Sequence, residues 1–213
     1  MKRVYMYTVE ERLWHWFQAA IMLALMATGI VIHLPQVWRY IDFETAVRSH
    51  DVLGVLLAVN AAFGLFWHLV SKQLRQFLPR GVTWAGTALQ QVRYYAWGMF
   101  HGEPHPMEKT VARKLNPLQQ ITYVGILNLL LPLQILTGVG MLGLRWNPAW
   151  VERLTELGLL APLHLLGGWL FAAFLVAHVY LTTTGHTLVS NVVAMITGWE
   201  DTHEPVVKEV PRD

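Results

Sequence analysis

Two histidines, His164 and His178, stand 14 positions apart inside one long apolar run. At about 100° per residue, 14 steps nearly complete four helical turns, so both imidazoles leave the same helix face. A rise of about 1.5 Å per residue separates them by roughly 21 Å along the axis. That is most of the way across a hydrocarbon core of about 30 Å. Polar side chains inside such a core are expensive and are functional by default. The run therefore offers two nitrogen ligands at two depths, both facing the same neighbours.

The composition agrees with a membrane setting. Hydrophobic residues make up 54% of 213 positions and charged residues 14%, with positive mean hydropathy. An ordinary soluble domain carries about 25% charge. A net charge of +2 is too small to point to nucleic acid. The absence of cysteine excludes disulfides, thiolate metal sites, iron–sulfur clusters and covalently attached haem, and leaves ten histidines as the strong ligands. Four segments are long and apolar enough to cross a bilayer: 13–34, 47–70, 118–144 and 159–184. Pro35 ends the first, Asn116-Pro117 opens the third, and Gly185 closes the fourth. No cleavage site follows the first span cleanly, so it reads as retained. The expected fold is an all-α membrane protein, a bundle of four spanning helices forming a single domain over 1–213. Loop 71–116 contains an interfacial helix near Thr83–Phe100. In the tail 185–213, a short helix is expected near Thr187–Ile196, and the polar stretch after Glu200 reads as disordered or as docking to a partner.

Basic residues orient the spans. Twelve of the sixteen Lys and Arg lie before the first span, between the second and third, or in the tail; only Arg39, Arg48, Arg145 and Arg153 lie in the other two loops. Positive charge favours the cytoplasmic side, so both termini and the long loop are expected inside. This direction pairs the histidines by depth. His15 falls near the inner end of the first helix and matches His178. His50 falls near the outer end of the second and matches His164. Two bis-histidine sites stacked across a membrane are what a cytochrome with two b-type haems requires, each iron taking axial nitrogens from facing helices. His33 and His68 lie 18 residues after His15 and His50, in similar helical phase but roughly 27 Å away, at or beyond the membrane edge. They read as surface histidines, with His68 the first substitute at the inner site. His101, His105 and His203 read as solvated, and His186 lies near the inner rim. Gly29, Gly54, Gly138, Gly167 and Gly168 either open a groove for a macrocycle or serve close helix packing. Arg48 either pairs with an outer haem propionate or snorkels to the interface.

The stretch Thr8-Val9-Glu10-Glu11-Arg12-Leu13-Trp14-His15-Trp16 resembles the opening of bacterial respiratory cytochrome b subunits with two haems. These are the membrane subunits of formate dehydrogenases, nickel–iron hydrogenases and thiosulfate reductases. The resemblance continues through Arg48-Ser49-His50, Asn116-Pro117-Leu118-Gln119-Gln120-Ile121-Thr122-Tyr123, Leu136-Thr137-Gly138, the fourth span and Met195-Ile196-Thr197-Gly198-Trp199-Glu200. It implies His15 and His178 as inner-haem ligands and His50 and His164 as outer-haem ligands. It also implies a quinone site at the cytoplasmic end with Asn116, and Gln119 or Gln120 beside it. The bland alternative is that Asn116 only caps the third helix.

The function implied is electron transfer between the membrane quinone or quinol pool and an extracytoplasmic catalytic or electron-carrier subunit, an iron–sulfur or multihaem protein, in the bacterial inner membrane. An alternative is a stand-alone oxidoreductase with two haems that reacts with a small oxidant or metal complex at its outer face. A haem-free anchor or transporter is a third reading.

Overall fold

The structure is a computed structural model and describes residues 2–36, 40–71, 84–103, 106–107, 110, 114–146 and 158–202. In chain order these form β1 (Lys2–Tyr5), α1 (Val9–His33), α2 (Phe43–Val70), α3 (Trp84–Ala96) and a 3₁₀ turn (Gly98–His101). There follow α4 (Pro117–Gly125), a π turn (Ile126–Leu130), α5 (Leu131–Trp146), α6 (Leu160–Thr182), α7 (Ser190–Thr197) and β2 (Trp199–Thr202). Four helical stretches have the length and composition of membrane spans: Val9–His33, Phe43–Val70, Pro117–Gly143 and Leu160–Thr182. Each lies within a few residues of its expected range.

Local chemistry sets the span boundaries. Thr8 and Glu11 form a reciprocal capping box: Thr8 N donates to Glu11 Oε2 at 2.9 Å and Glu11 N to Thr8 Oγ1 at 3.4 Å. α1 therefore starts at Val9, ahead of its apolar run. Asp42 caps α2 by accepting from Thr45 N at 2.9 Å, and the Thr45 hydroxyl together with that N–H holds its carboxyl below the usual carboxylate range. Asn116 and Gln119 repeat the box at α4, with Pro117 at the first helical position. The π turn comes just before Pro132, which has no N–H and whose ring crowds the carbonyl of Asn128 four residues back. A widened turn relieves that clash.

The chain groups into two compact units. The first holds Leu13–Gln73 and Val124–Leu181, the apolar parts of the spans. Its core is Ile21, Leu57, Leu131 and Phe171, one from each spanning helix, with most other large apolar side chains facing outward, as lipid requires. Asn60, buried on α2, donates to Gln18 Oε1 on α1, an interhelical amide bond.

The second unit holds Met1–Arg12, Leu74–Tyr123 and Thr182–Asp213. β1 and β2 pair antiparallel from Lys2 with Thr202 to Tyr5 with Trp199, and Met6 N and Tyr7 N both donate to Gly198 O. Gly198 has φ 87°, and an added Cβ would meet the Tyr7 carbonyl at 2.7 Å, so this turn demands glycine. β2 includes Asp201 and Thr202, the first residues of the polar stretch after Glu200 for which disorder or docking to a partner is expected. Lys2–Tyr5 and Trp199–Thr202 therefore lie side by side. The remainder of the tail, His203–Asp213, and His105 lie outside the described residues. Expected helices at Thr83–Phe100 and Thr187–Ile196 correspond to α3 with its 3₁₀ turn and to α7.

Stretches 8–12, 114–123 and 195–200 converge in this unit. Lys114 Nζ reaches Glu11 Oε1 and Oε2 at 2.6 and 2.7 Å with both side chains largely covered, and Arg12 donates to Ile196 O. Tyr7 is pushed up by burial, with Glu200, Tyr123 and Glu11 nearby adding to the effect. Replacing Lys114 by methionine is expected to cost about 1–3 kcal/mol, between the exposed and buried limits for ion pairs, because Glu11 is left covered and uncompensated. The lost stability should be partly recovered in the double variant with Glu11→Gln. Thermal unfolding in detergent reads both, and an unchanged single variant contradicts the expectation.

Candidate functional site

The four spanning helices bring the histidines together in two pairs. His50 on α2 faces His164 on α6 with ring centroids 6.0 Å apart, and His15 on α1 faces His178 on α6 at 6.2 Å. All four are half-buried. Phe171 lies seven residues from both His164 and His178, and Leu57 lies seven residues after His50. The apolar layer therefore sits about 10 Å in rise from the site residues on its helices, between the two pairs.

At the first pair the hydrogen bonding is symmetrical. Thr28 Oγ1 on α1 lies 2.9 Å from His50 Nδ1, and Thr137 Oγ1 on α5 lies 2.9 Å from His164 Nδ1. Each hydroxyl also reaches carbonyls of its own helix: Thr28 those of Ala24 and Leu25, Thr137 those of Leu133 and Gln134. A hydroxyl has one proton. Donated to the carbonyl, it leaves the oxygen to accept Nδ1–H, and the Nε2 lone pair of each imidazole becomes the basic one. Neither threonine was singled out by sequence reasoning as a site residue. The signal available was its position: Thr137 adjoins Gly138, and Thr28 adjoins Gly29.

Two of the glycines face the imidazoles. A Cβ on Gly138 would stand a tight 3.2 Å from His164 Cε1, so glycine there makes room for that ring, whereas one on Gly29 would stand 3.6 Å from His50 Cε1, an ordinary contact. Gly167 makes room for Gln134, whose Nε2 lies 3.2 Å from His164 Nε2 and whose Oε1 is buried without a partner. Gly54 and Gly168 have nothing within 4 Å.

At the second pair, His178 stacks on Phe174 at 5.5 Å, and His15 Nδ1 is buried with no hydrogen-bond partner. His68 is turned elsewhere: its Nδ1 donates to Gly64 O at 2.7 Å and its ring packs edge-on to Trp14 at 5.8 Å. Gly64 admits that tryptophan, since a Cβ there would meet the indole at 2.9 Å. His33 and His186 are exposed, and exposed His101 stacks on Trp97 at 4.1 Å. Arg48 pairs with Glu44 at 2.5 Å, both exposed, and residues two apart on a helix do not share a face. In the second unit, Asn116 Oδ1 accepts from Gln119 N at 2.8 Å, so the capping role is present, while Asn116 Nδ2 points to Tyr95 OH at 3.4 Å. Burial, opposed by this hydrogen bond, raises the Tyr95 hydroxyl above its ordinary value.

The pairs fit an iron held by two trans imidazoles. A metal–imidazole bond of about 2.0–2.1 Å, with about 1.1 Å from nitrogen to ring centre, sets two such centroids about 6.3 Å apart. Both observed separations lie within a few tenths of an ångström of that value. Ligation through His164 Nε2 requires the Gln134 amide to turn aside. Among the described residues no three His, Cys, Asp or Glu side chains converge.

Comparison with known proteins supplies the family. The chain is 32% identical over 212 residues to a cytochrome of Escherichia coli (strain K12), YdhU, covering 93% of this chain and 75% of that one. It is 26% identical over 228 residues to a protein of Azotobacter vinelandii named for a Ni/Fe-hydrogenase B-type cytochrome subunit, covering 92% and 88%. A protein of Cupriavidus necator with the same name is 27% identical over 206 residues, covering 84% and 79%. No solved structure matches significantly. A family model described as prokaryotic cytochrome b561 matches residues 6–198. The chain belongs to the prokaryotic cytochrome b561 family: it is a membrane cytochrome b of electron transfer, and b-type haem is its cofactor.

Proposed function

We propose that this chain carries electrons across a bacterial inner membrane between two b-type haems, one held by His15 and His178 and the other by His50 and His164. The observation that carries the reading is the pair of imidazole separations, 6.2 and 6.0 Å, on helices that pack Ile21, Leu57, Leu131 and Phe171 between the two pairs. The haems supply the reversible one-electron chemistry. The chain's own residues fix their depth, exclude water and, through Thr28 and Thr137, set the tautomers of His50 and His164.

The charge bias puts both termini inside, so His15 and His178 form the inner site. A quinone would accept two electrons and two protons there to become quinol, or quinol would release them. The resemblance of Asn116-Pro117-Leu118-Gln119-Gln120 to a quinone-binding stretch supports the cytoplasmic end as the place. The names of the hydrogenase relatives, printed as subunits, support a catalytic partner subunit, which this reading sets on the outer face.

The test is a haem assay with a reduced-minus-oxidised spectrum of the purified chain. Two haems per chain and a b-type α band are expected, and the band should appear on adding quinol. One haem, or none, refutes the two-site arrangement. Mild-detergent purification is expected to bring a catalytic subunit with it. A lone haem protein that reacts with a small oxidant instead favours the stand-alone reading.

A further inference from the structure

Helix α3 carries a side chain whose chemistry the fold leaves unused. Gln91 is fully buried, and neither its Nε2 nor its Oε1 has a hydrogen-bond partner. Trp84, Ala88, Gln91 and Tyr95 share the covered face of α3 at helical spacing, while Leu89, Val92 and Trp97 are exposed. Two hydrogen bonds pin that face to the start of α4. Trp84 Nε1 donates to Gln120 Oε1 at 2.8 Å, and Asn116 Nδ2 donates to Tyr95 OH at 3.4 Å. Gln91 sits between them, two turns from Trp84 and one from Tyr95. Asn116, Pro117 and Gln120, at the α4 end of those two bonds, are buried as well. Native structures avoid leaving both ends of a buried amide unpaired.

We infer that Gln91 hydrogen-bonds the oxygen of a quinone head group in the seam between α3 and α4. The inference rests on the quinone reading above and names the side chain that recognises the substrate. A quinone carbonyl needs a donor and a quinol hydroxyl needs an acceptor; a carboxamide supplies either. Asn116 is less available, because its oxygen caps α4 and its nitrogen meets Tyr95. Trp84 and Tyr95 flank Gln91 with flat aromatic surface suited to a planar ring. The exposed apolar residues of α3 suit a helix lying in the membrane interface, from which a lipid-soluble substrate enters.

The experiment uses the haem-loaded chain in lipid vesicles with an azido-substituted short-chain quinone as photolabel, alongside Gln91→Met. The label is expected on the peptide carrying Trp84–Ala96, and excess unlabelled quinone should suppress it. Gln91→Met is expected to keep its haems and its thermal stability. Its KM for a short-chain quinol should rise about fivefold to tenfold, the worth of one hydrogen bond to a neutral group, with kcat moved less. Competable labelling near Asn116 but not on α3, with KM unchanged in Gln91→Met, overturns the role of Gln91 and leaves the quinone reading standing. So does an unchanged KM with raised stability, which would mean that the amide held only water. Absence of competable labelling anywhere removes the quinone reading itself, and Gln91 with it. If Gln91→Met does not accumulate, the photolabel on the unaltered chain decides alone.

Discussion

A His178→Ala variant is expected to purify with one haem per chain instead of two, and His50→Ala with one haem of the other kind. Removing an axial imidazole leaves an iron with a single protein nitrogen beside a cavity, which the facing ring at about 6 Å cannot fill. The effect should stay local. His164 and His178 are about 21 Å apart in rise, well beyond the 7–10 Å within which substitutions usually couple. The pairing also predicts a pattern among double variants. His15→Ala with His178→Ala should lose no more haem than either alone, because both act on one iron. His15→Ala with His50→Ala should lose both. Haem content by alkaline pyridine assay, with low-temperature spectra to tell the sites apart, reads every arm. Two intact haems in either single variant would refute the pairing. Loss of the same haem from His15→Ala and His50→Ala would mean that the helices are paired differently.

How much of this was readable beforehand depends on the kind of interaction. The spans were legible because a bilayer imposes length and apolarity on contiguous residues, and the depth order of His15, His50, His164 and His178 follows from helical rise and the bias of basic residues. The helix ends were less so. α1 begins at Val9 because Thr8 and Glu11 cap one another, whereas a hydropathy boundary registers only where the charges stop. β2 was missed because a strand of Trp199–Thr202 gains its partner from the opposite end of the chain, a contact with no local signature. The glycines were noticed, but their use was not: space beside Gly138 serves one imidazole, which only the packed helices disclose. Thr28 and Thr137 were overlooked for a physical reason. A threonine in a span ordinarily satisfies itself on the carbonyl four residues back, so its type gives no hint that the oxygen also accepts from another helix. Gln91 is the reverse case, a polar residue at a covered position whose importance lies in bonds the protein does not make.

The paired threonines carry the second large effect. Combining Thr28→Val with Thr137→Val is expected to weaken haem binding at the His50–His164 site by about 10–100-fold, or about 1.4–2.7 kcal/mol, the usual cost of removing the groups that orient metal ligands. Valine matches threonine in shape, so packing beside Gly29 and Gly138 is kept while both Nδ1–H acceptors are lost. Each imidazole is then free to rotate or to change tautomer, and a ligand nitrogen no longer made more basic by its hydrogen bond favours oxidised iron less. The midpoint potential of that haem should therefore move to more positive values. The His15–His178 haem should keep its potential, since neither threonine contacts its ligands. Serine at both positions retains the hydroxyls and is expected to restore affinity and potential together. Haem titration of the apoprotein and a redox titration of both b-type bands make the measurement. A double valine variant with unaltered affinity and potential would show that the hydroxyls serve only their own helix carbonyls. A shift at the His15–His178 haem would place the threonines beside the wrong iron.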